Sequence, residues 1–258
     1  MTWLRWLAAG LAAAFGLGAV AQASPLATIK ERGRIIVCAN PNALPFAAKD
    51  GPRRGIELEL AEALADQLGV GLEVGWVIFP YHVSRVDCDI ILDSIADAEV
   101  QTARHVRLSR PYQRSGVILA TRPGLPTVSG ISGLAGLRVA AMVGSVAQVY
   151  LGRQGISTIP YTFEDEMVAA AGSGEVDGAI VSPASVGFYN LTHAQSALGV
   201  APIFDGVPDL NWSVAVGMRK ADDALVDSIN AALDKLMADG TVARIYASYG
   251  IEHRAPAQ

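Results

Sequence analysis

The sequence predicts a mixed α/β protein built on parallel sheets and exported from the cytoplasm. Three observations carry that expectation. Short apolar, β-branched runs alternate along the chain with stretches whose apolar residues fall at helical spacing. Hydrophobic residues make up 51% of the 258 positions and charged ones 17%, which allows a large buried core and excludes a disordered or collagen-like chain. The net charge of −5, with no basic stripe, argues against nucleic acid as a partner. The N-terminus reads as a leader.

Residues 1–23 fit a secretory signal: Arg5, an apolar run through Trp6, Leu7, Leu11, Phe15, Leu17 and Val20, then the small-x-small triplet Ala21-Gln22-Ala23. The run is shorter than the roughly 20 apolar residues of a membrane span. Cleavage between Ala23 and Ser24 would release a soluble chain into the periplasm.

The first strand is expected over Arg34–Ala39 (RIIVCA), apolar enough to be buried on both faces. Gly55–Leu68 places Ile56, Leu60, Ala63, Leu64 and Leu68 on one helical face, with Gly69 ending the helix. Strands follow at Leu72–Val77, Asp89–Leu92 and Gly116–Thr121, the last running into the loop Arg122–Pro126. A second block repeats the alternation. It has strands at Leu137–Ala141, Ile156–Pro160 and Gly178–Val181, and helices at Gly144–Leu151 and Glu164–Ala171. A helix or turn follows over Pro183–Tyr189. A strand over Ser213–Met218 and helices over Ala224–Ala238 and Val242–Tyr249 finish the chain. Strands separated by helices favour parallel sheets. No internal sequence repeat is visible.

Cys38 and Cys88 are the two cysteines. An even pair in an exported chain suits a disulfide, and two buried thiols in separate strands are the alternative. Neither belongs to a CxxC and the four histidines are scattered, so no metal site is expected.

The order of motifs resembles the type II periplasmic solute-binding proteins of family 3, which serve amino-acid ABC transporters. The resemblance rests on Val37–Phe46, on Gly55-Ile56-Glu57-Leu58-Glu59-Leu60-Ala61, and on Asp89-Ile90-Ile91-Leu92 with Leu108-Ser109-Arg110-Pro111-Tyr112. It continues through Gly133–Val139, Val143-Gly144-Ser145, Gly174–Ala179 and Ala215–Lys220. It implies two α/β lobes joined by two crossover strands around a central cleft. Lobe 1 would take residues 24–121 and 212–258 and lobe 2 residues 122–211, with hinges at Arg122–Pro126 and Gly206–Asp209. The family strand order would set Cys38 and Cys88 in adjacent strands of lobe 1, and a disulfide between them is expected.

The resemblance also implies where a ligand would sit. In the family's amino-acid binders an Arg grips the ligand α-carboxylate and an Asp holds its ammonium. Those slots hold Thr102 and Ser182 here, with Arg104 and Arg107 nearby, so a standard amino acid is not the expected solute. Asn40 and Asn42 follow the first strand, and Asp93 and Ser94 follow DIIL, at the strand ends where such sheets gather ligands. Gly144-Ser145 opens a helix whose free N–H groups suit an anion, although Ser145 equally suits an ordinary N-cap. Phe46, Trp76, Tyr81, Tyr112 and Tyr161 are candidate walls or core. His82, Asp87 and Asp89 fit no catalytic arrangement, and a dehydratase-like enzyme on this fold is the distant alternative.

Within the family, Val37-Cys38-Ala39, Arg110–Ser115 and Val214–Arg219 resemble the binding-protein-like accessories of quinoprotein dehydrogenases. That resemblance implies a periplasmic methanol or alcohol dehydrogenase, or its cytochrome c, as a partner instead of an ABC permease. Tyr81, His82, Tyr112 and Arg114 would then form the contact surface. The chain is expected to be a monomer without a cofactor.

Overall fold

The computed structural model describes residues 25–78, 85–97 and 105–256. The leader lies outside them. A short helix α1 (Pro25–Arg32) precedes β1 (Arg34–Ala39), whose Ile35 and Val37 are fully buried. The next loop carries a small hairpin, β2 (Asn42–Ala43) with β3 (Ala47–Ala48), and a cis peptide at Leu44–Pro45. Helix α2 (Ile56–Leu68) buries Ile56, Leu60, Leu64 and Leu68 and stops at Gly69, which takes the left-handed conformation at φ 67°. At its start Gly55 has φ 101°, and a Cβ there would lie 2.3 Å from the Phe46 carbonyl oxygen, so only glycine fits. That close approach clamps the Phe46 loop onto the first turn of α2.

Strands β4 (Gly71–Trp76), β5 (Ile90–Ile95), β6 (Val106–Leu108) and β7 (Gln113–Gly116) follow. The second half contributes β8 (Ile118–Thr121), β9 (Val139–Met142), α3 (Val146–Arg153), β10 (Ile159–Tyr161) and α4 (Glu164–Ser173). It continues with β11 (Gly178–Val181), α5 (Pro183–Thr192) and β12 (Gly199–Ala201). The chain returns through β13 (Asn211–Arg219) and ends in α6 (Asp223–Ala238) and α7 (Thr241–Ser248).

Among the described residues the first sheet has the order β4-β1-β5-β13-β6, with β7 also on β13; the second runs β10-β9-β11-β8-β12. The sheets are mixed, where strands separated by helices had favoured parallel pairing. β4, β1 and β5 are parallel, as are β10, β9 and β11, but β13 and β8 pair antiparallel with their neighbours. These are the strands through which the chain enters and leaves the second sheet, so no helix crossover sets their direction. The strand read over 116–121 divides. β7 joins the first sheet and β8 the second, so the first passage falls at Gly116–Val117, ahead of the Arg122–Pro126 loop. The return passage lies between β12 and β13.

One core cluster lies between the first sheet and α2, α6 and α7, and two more cover opposite faces of the second sheet. β11 shows the two-sided burial directly: Ala179 and Val181 enter one cluster and Ile180 the other. Cys38 and Cys88 are bonded, with Cα atoms 5.6 Å apart. Cys88 sits in the turn before β5 and not in a strand, because the turn folds back beside β1, where Asp89 N–H donates to the Ile36 carbonyl.

A seam joins the two halves. Ala184 of α5 enters the first core cluster, and Phe188 packs against it, 5.8 Å from the Tyr249 ring. The Arg53 guanidinium stands 5.9 Å from the Phe188 ring and 5.2 Å from the Tyr249 ring. Gly187 and Gly250 bring backbone against backbone; a Cβ on Gly187 would lie 2.6 Å from the Gly250 oxygen.

Candidate functional site

Where the sheets face each other there is a narrow cavity of about 20 Å³, room for about one ordered water. Asp93 comes to it from the first sheet, Phe46 from the turn between β2 and β3, Pro183 and Ala184 from the N-terminus of α5, and Tyr246 and Ile251 from the C-terminal segment. Gln113, Arg114, Ser115, Glu252 and Arg254 continue the lining.

Asp93 holds a left-handed conformation at φ 54° within β5, a geometry that Asp tolerates better than most residues. Its N–H donates to the Tyr112 hydroxyl at 3.3 Å. Although solvent reaches Asp93 from the cleft, protein surrounds it, and this enclosure, followed by the charge of Glu164, pushes its carboxyl up to about 7. Glu57, in the first turn of α2, is pushed up to about 8 by burial and then by the charge of Asp93. Neither side chain forms an ion pair among the described residues.

From the second half comes Glu164, the first residue of α4. Its carboxylate accepts from Ser182 N–H at 3.0 Å, from Ser182 Oγ at 2.7 Å and from Ser185 Oγ at 2.5 Å. Ser182 is also the N-cap of α5, accepting from Ser185 N–H at 3.2 Å. Asp93 of β5 thus raises Glu57 of α2 and is itself raised by Glu164 of α4, in each case after burial.

The structure separates the residues that the sequence brought forward. Phe46 and Asp93 line the cavity. Tyr112 does not: it is 2% exposed, its hydroxyl supports Asp93 from below, and burial holds its pKa well above 10. Tyr246 bonds the Tyr112 hydroxyl and is raised by burial in the same way. Ser94 is buried on the opposite face of β5, where its hydroxyl donates to the Ile91 carbonyl. Asn40 forms a local turn, accepting from Asn42 N–H at 2.9 Å, and Asn42 is exposed in β2. Gly144 N–H donates to Gln148 Oε1 at 2.8 Å and Ser145 caps Gln148 N–H at 3.1 Å, so an internal side chain occupies the N–H groups read as an anion site. Tyr161 donates to Glu175, and Trp76 packs on the first core. Tyr81, His82, Thr102 and Arg104 lie outside the described residues. Arg107 pairs with Asp223 at 2.7 Å and Asp87 with Lys220 at 2.8 Å, while Asp89 pairs with Arg32.

Sequence reading passed over Glu57 and Glu164. Each is an acidic residue in the first turn of a helix, a placement the helix dipole explains without a ligand. Their one signal was that each opens a helix directly after a strand–loop segment facing the strand ends.

Two sheets of this order, joined by two passages and enclosing a cavity, define the type II periplasmic binding protein fold. It superposes on an amino acid ABC transporter substrate-binding protein from Streptococcus pneumoniae, bound to L-arginine, with a TM-score of 0.73 at 21% identity. The match covers 88% of this chain and 98% of that one. Residues 35–252 match the bacterial extracellular solute-binding proteins, family 3, and the chain belongs to that family. Among curated relatives, the L-cystine-binding protein TcyJ of Escherichia coli K12 is 23% identical over 92% of this chain and 90% of its own length. A membrane-bound lytic murein transglycosylase F of Desulfosudis oleivorans is 26% identical over 95% of this chain but 55% of its own length. The chain therefore spans about half the length of the first relatives it matches. No helix among the described residues is long and apolar enough to cross a membrane.

Proposed function

We propose that this chain is a periplasmic binding protein that captures a small cationic solute lacking an α-carboxylate and presents it to an ABC permease. Among the described residues, 25–78, 85–97 and 105–117 with 211–256 form one lobe and 118–210 the other, a division supported by sheet membership. The observation that carries the ligand class is Asp93 in the cavity lining, raised by enclosure and acting electrostatically on Glu57; Arg114 and Arg254 line the same cavity, but neither carboxylate forms an ion pair among the described residues. Partly enclosed carboxylates raised in this way are the environment that an ammonium or guanidinium ion relieves. The same fold holds a cation in the streptococcal arginine complex. The sequence resemblance puts Thr102 where the family's amino-acid binders carry the carboxylate-gripping Arg, which argues against amino acids themselves. The chemistry is binding, not catalysis.

The accessory reading keeps Arg114 as a surface residue but loses Tyr112, which is buried. Thermal melting with methylammonium, guanidinium, putrescine and the twenty amino acids tests the proposal. A cation at 100 times its dissociation constant adds about 2.7 kcal/mol. No shift with any cation, or a shift with neutral amino acids alone, overturns it.

A further inference from the structure

We infer that the C-terminal segment Gly250–Arg254 is a strap that holds the two lobes together at the hinge side of the cavity, and that its release from β7 lets them part. The inference is independent of which solute binds.

The segment leaves α7 and touches both lobes in turn. At its start Gly250 lies against α5 of the second lobe. A Cβ on Gly250 would meet the Gly187 oxygen at 2.8 Å and the Leu191 Cβ at 3.0 Å, and its φ of 75° turns the chain along a path that a side chain would block. Ile251 then enters the first core cluster at 7% exposure. The far end is bonded to the first lobe. Arg114 N–H donates to the Arg254 carbonyl at 2.8 Å, and Arg254 N–H donates to Gln113 Oε1 at 2.9 Å. His253 Nε2–H donates to the Tyr112 carbonyl at 2.8 Å, and its ring lies 5.5 Å from that of Tyr246. The strap therefore follows Tyr112–Arg114, directly ahead of Gly116–Val117, where the chain first crosses between the lobes.

The same residues bound the cavity. Ile251, Glu252 and Arg254 line it beside Gln113, Arg114 and Ser115. With about 20 Å³ there is room for about one water, so a solute of several heavy atoms enters only when the lobes part. Parting turns the chain about its two passages and draws Gly187 away from Gly250. A segment seated on α5 at one end and hydrogen-bonded to the hinge strand at the other opposes that motion. Each bond is modest, and three together bias the lobes towards the joined arrangement. The family match stops at Glu252, so the pairing of His253 and Arg254 with β7 lies outside the matched span.

Deleting residues 253–258 removes all three bonds and leaves every helix and strand described above, with the Gly250 contact, in place. Small-angle scattering at confirmed monomer mass is expected to show a larger radius of gyration than wild type, although shortening a compact chain by itself lowers that radius. His253→Ala with Arg254→Pro, made together in the full chain, removes the His253 and Arg254 donors without shortening it and is expected to shift the radius in the same direction. An unchanged or smaller radius in a folded deletion protein overturns the inference. So does a rise that the double variant fails to reproduce, since it would come from the lost chain and not from the lost bonds. If the deletion protein does not fold, by circular dichroism, the double variant decides by the same measurement. Loss of folding in both overturns the inference, because the segment would then be part of the core and not a strap.

Discussion

Gly187→Ala should loosen the contact between the two lobes. The added methyl would lie 2.6 Å from the Gly250 carbonyl oxygen and 3.1 Å from a side-chain carbon of Ile251. The first neighbour is backbone and cannot rotate away. Gly250 is itself confined, since a Cβ there would lie 2.8 Å from the Gly187 oxygen. Overpacking of this kind costs about 1–3 kcal/mol. Against it stands the gain from replacing glycine inside α5, about 1 kcal/mol. The steric term wins towards its upper end, leaving a net loss of up to about 2 kcal/mol, and Tm should fall by up to about 8 °C for a chain of this size. The relief available is separation of α5 from the Tyr249–Ile251 turn. This would also part Phe188 from Tyr249 and Arg53, so the radius of gyration from small-angle scattering should rise. A Gly187→Ala protein with raised Tm and unchanged radius would show that the seam yields at no cost and does not hold the lobes together.

Three further outcomes follow from the same structure. The Cys38–Cys88 bond closes a separation of 50 residues, and its loss in Cys38→Ser/Cys88→Ser should cost about 4 kcal/mol by loop entropy; two alkylatable thiols in the unreduced protein would refute the bond. Asp177 accepts from both Arg122 and Arg138, mainly Arg138, which holds its carboxyl well below the usual range. Asp177→Asn should cost about 1–2 kcal/mol at pH 7 by denaturant midpoint, and because the native pKa is depressed the difference should fade as pH drops below about 4. Glu57 and Asp93 have the opposite sign. Their native pKa values of about 8 and about 7 lie above the unfolded ones, so the folded state holds extra protons and loses stability as pH rises from about 4 through 8. Urea midpoints at pH 5 and 8.5 should show that loss, reduced in Glu57→Gln; an equal slope in wild type and variant would refute it.

The sequence by itself determined the elements, because their causes are local. RIIVCA is apolar and β-branched enough to be a strand wherever it is buried. Gly69 ends α2 because it alone meets a left-handed turn cheaply, and Pro183 after Ser182 starts a helix by its fixed φ and its cap. The family resemblance rested on these local signals in order, and the fold followed. Tertiary structure decided everything that depends on which distant segments meet. Residues 118–121 read the same in either sheet; only their pairing with β11 and β12 assigns them to the second. Tyr112 looked like a pocket wall, and the packing of α7 turned it into a buried support for Asp93. At Ser182 the sequence showed a missing charge. The fold brings Glu164 to the same turn from another helix, because an electrostatic site is defined by distance in space, and position along the chain carries no information about charges that converge from α2, β5 and α4.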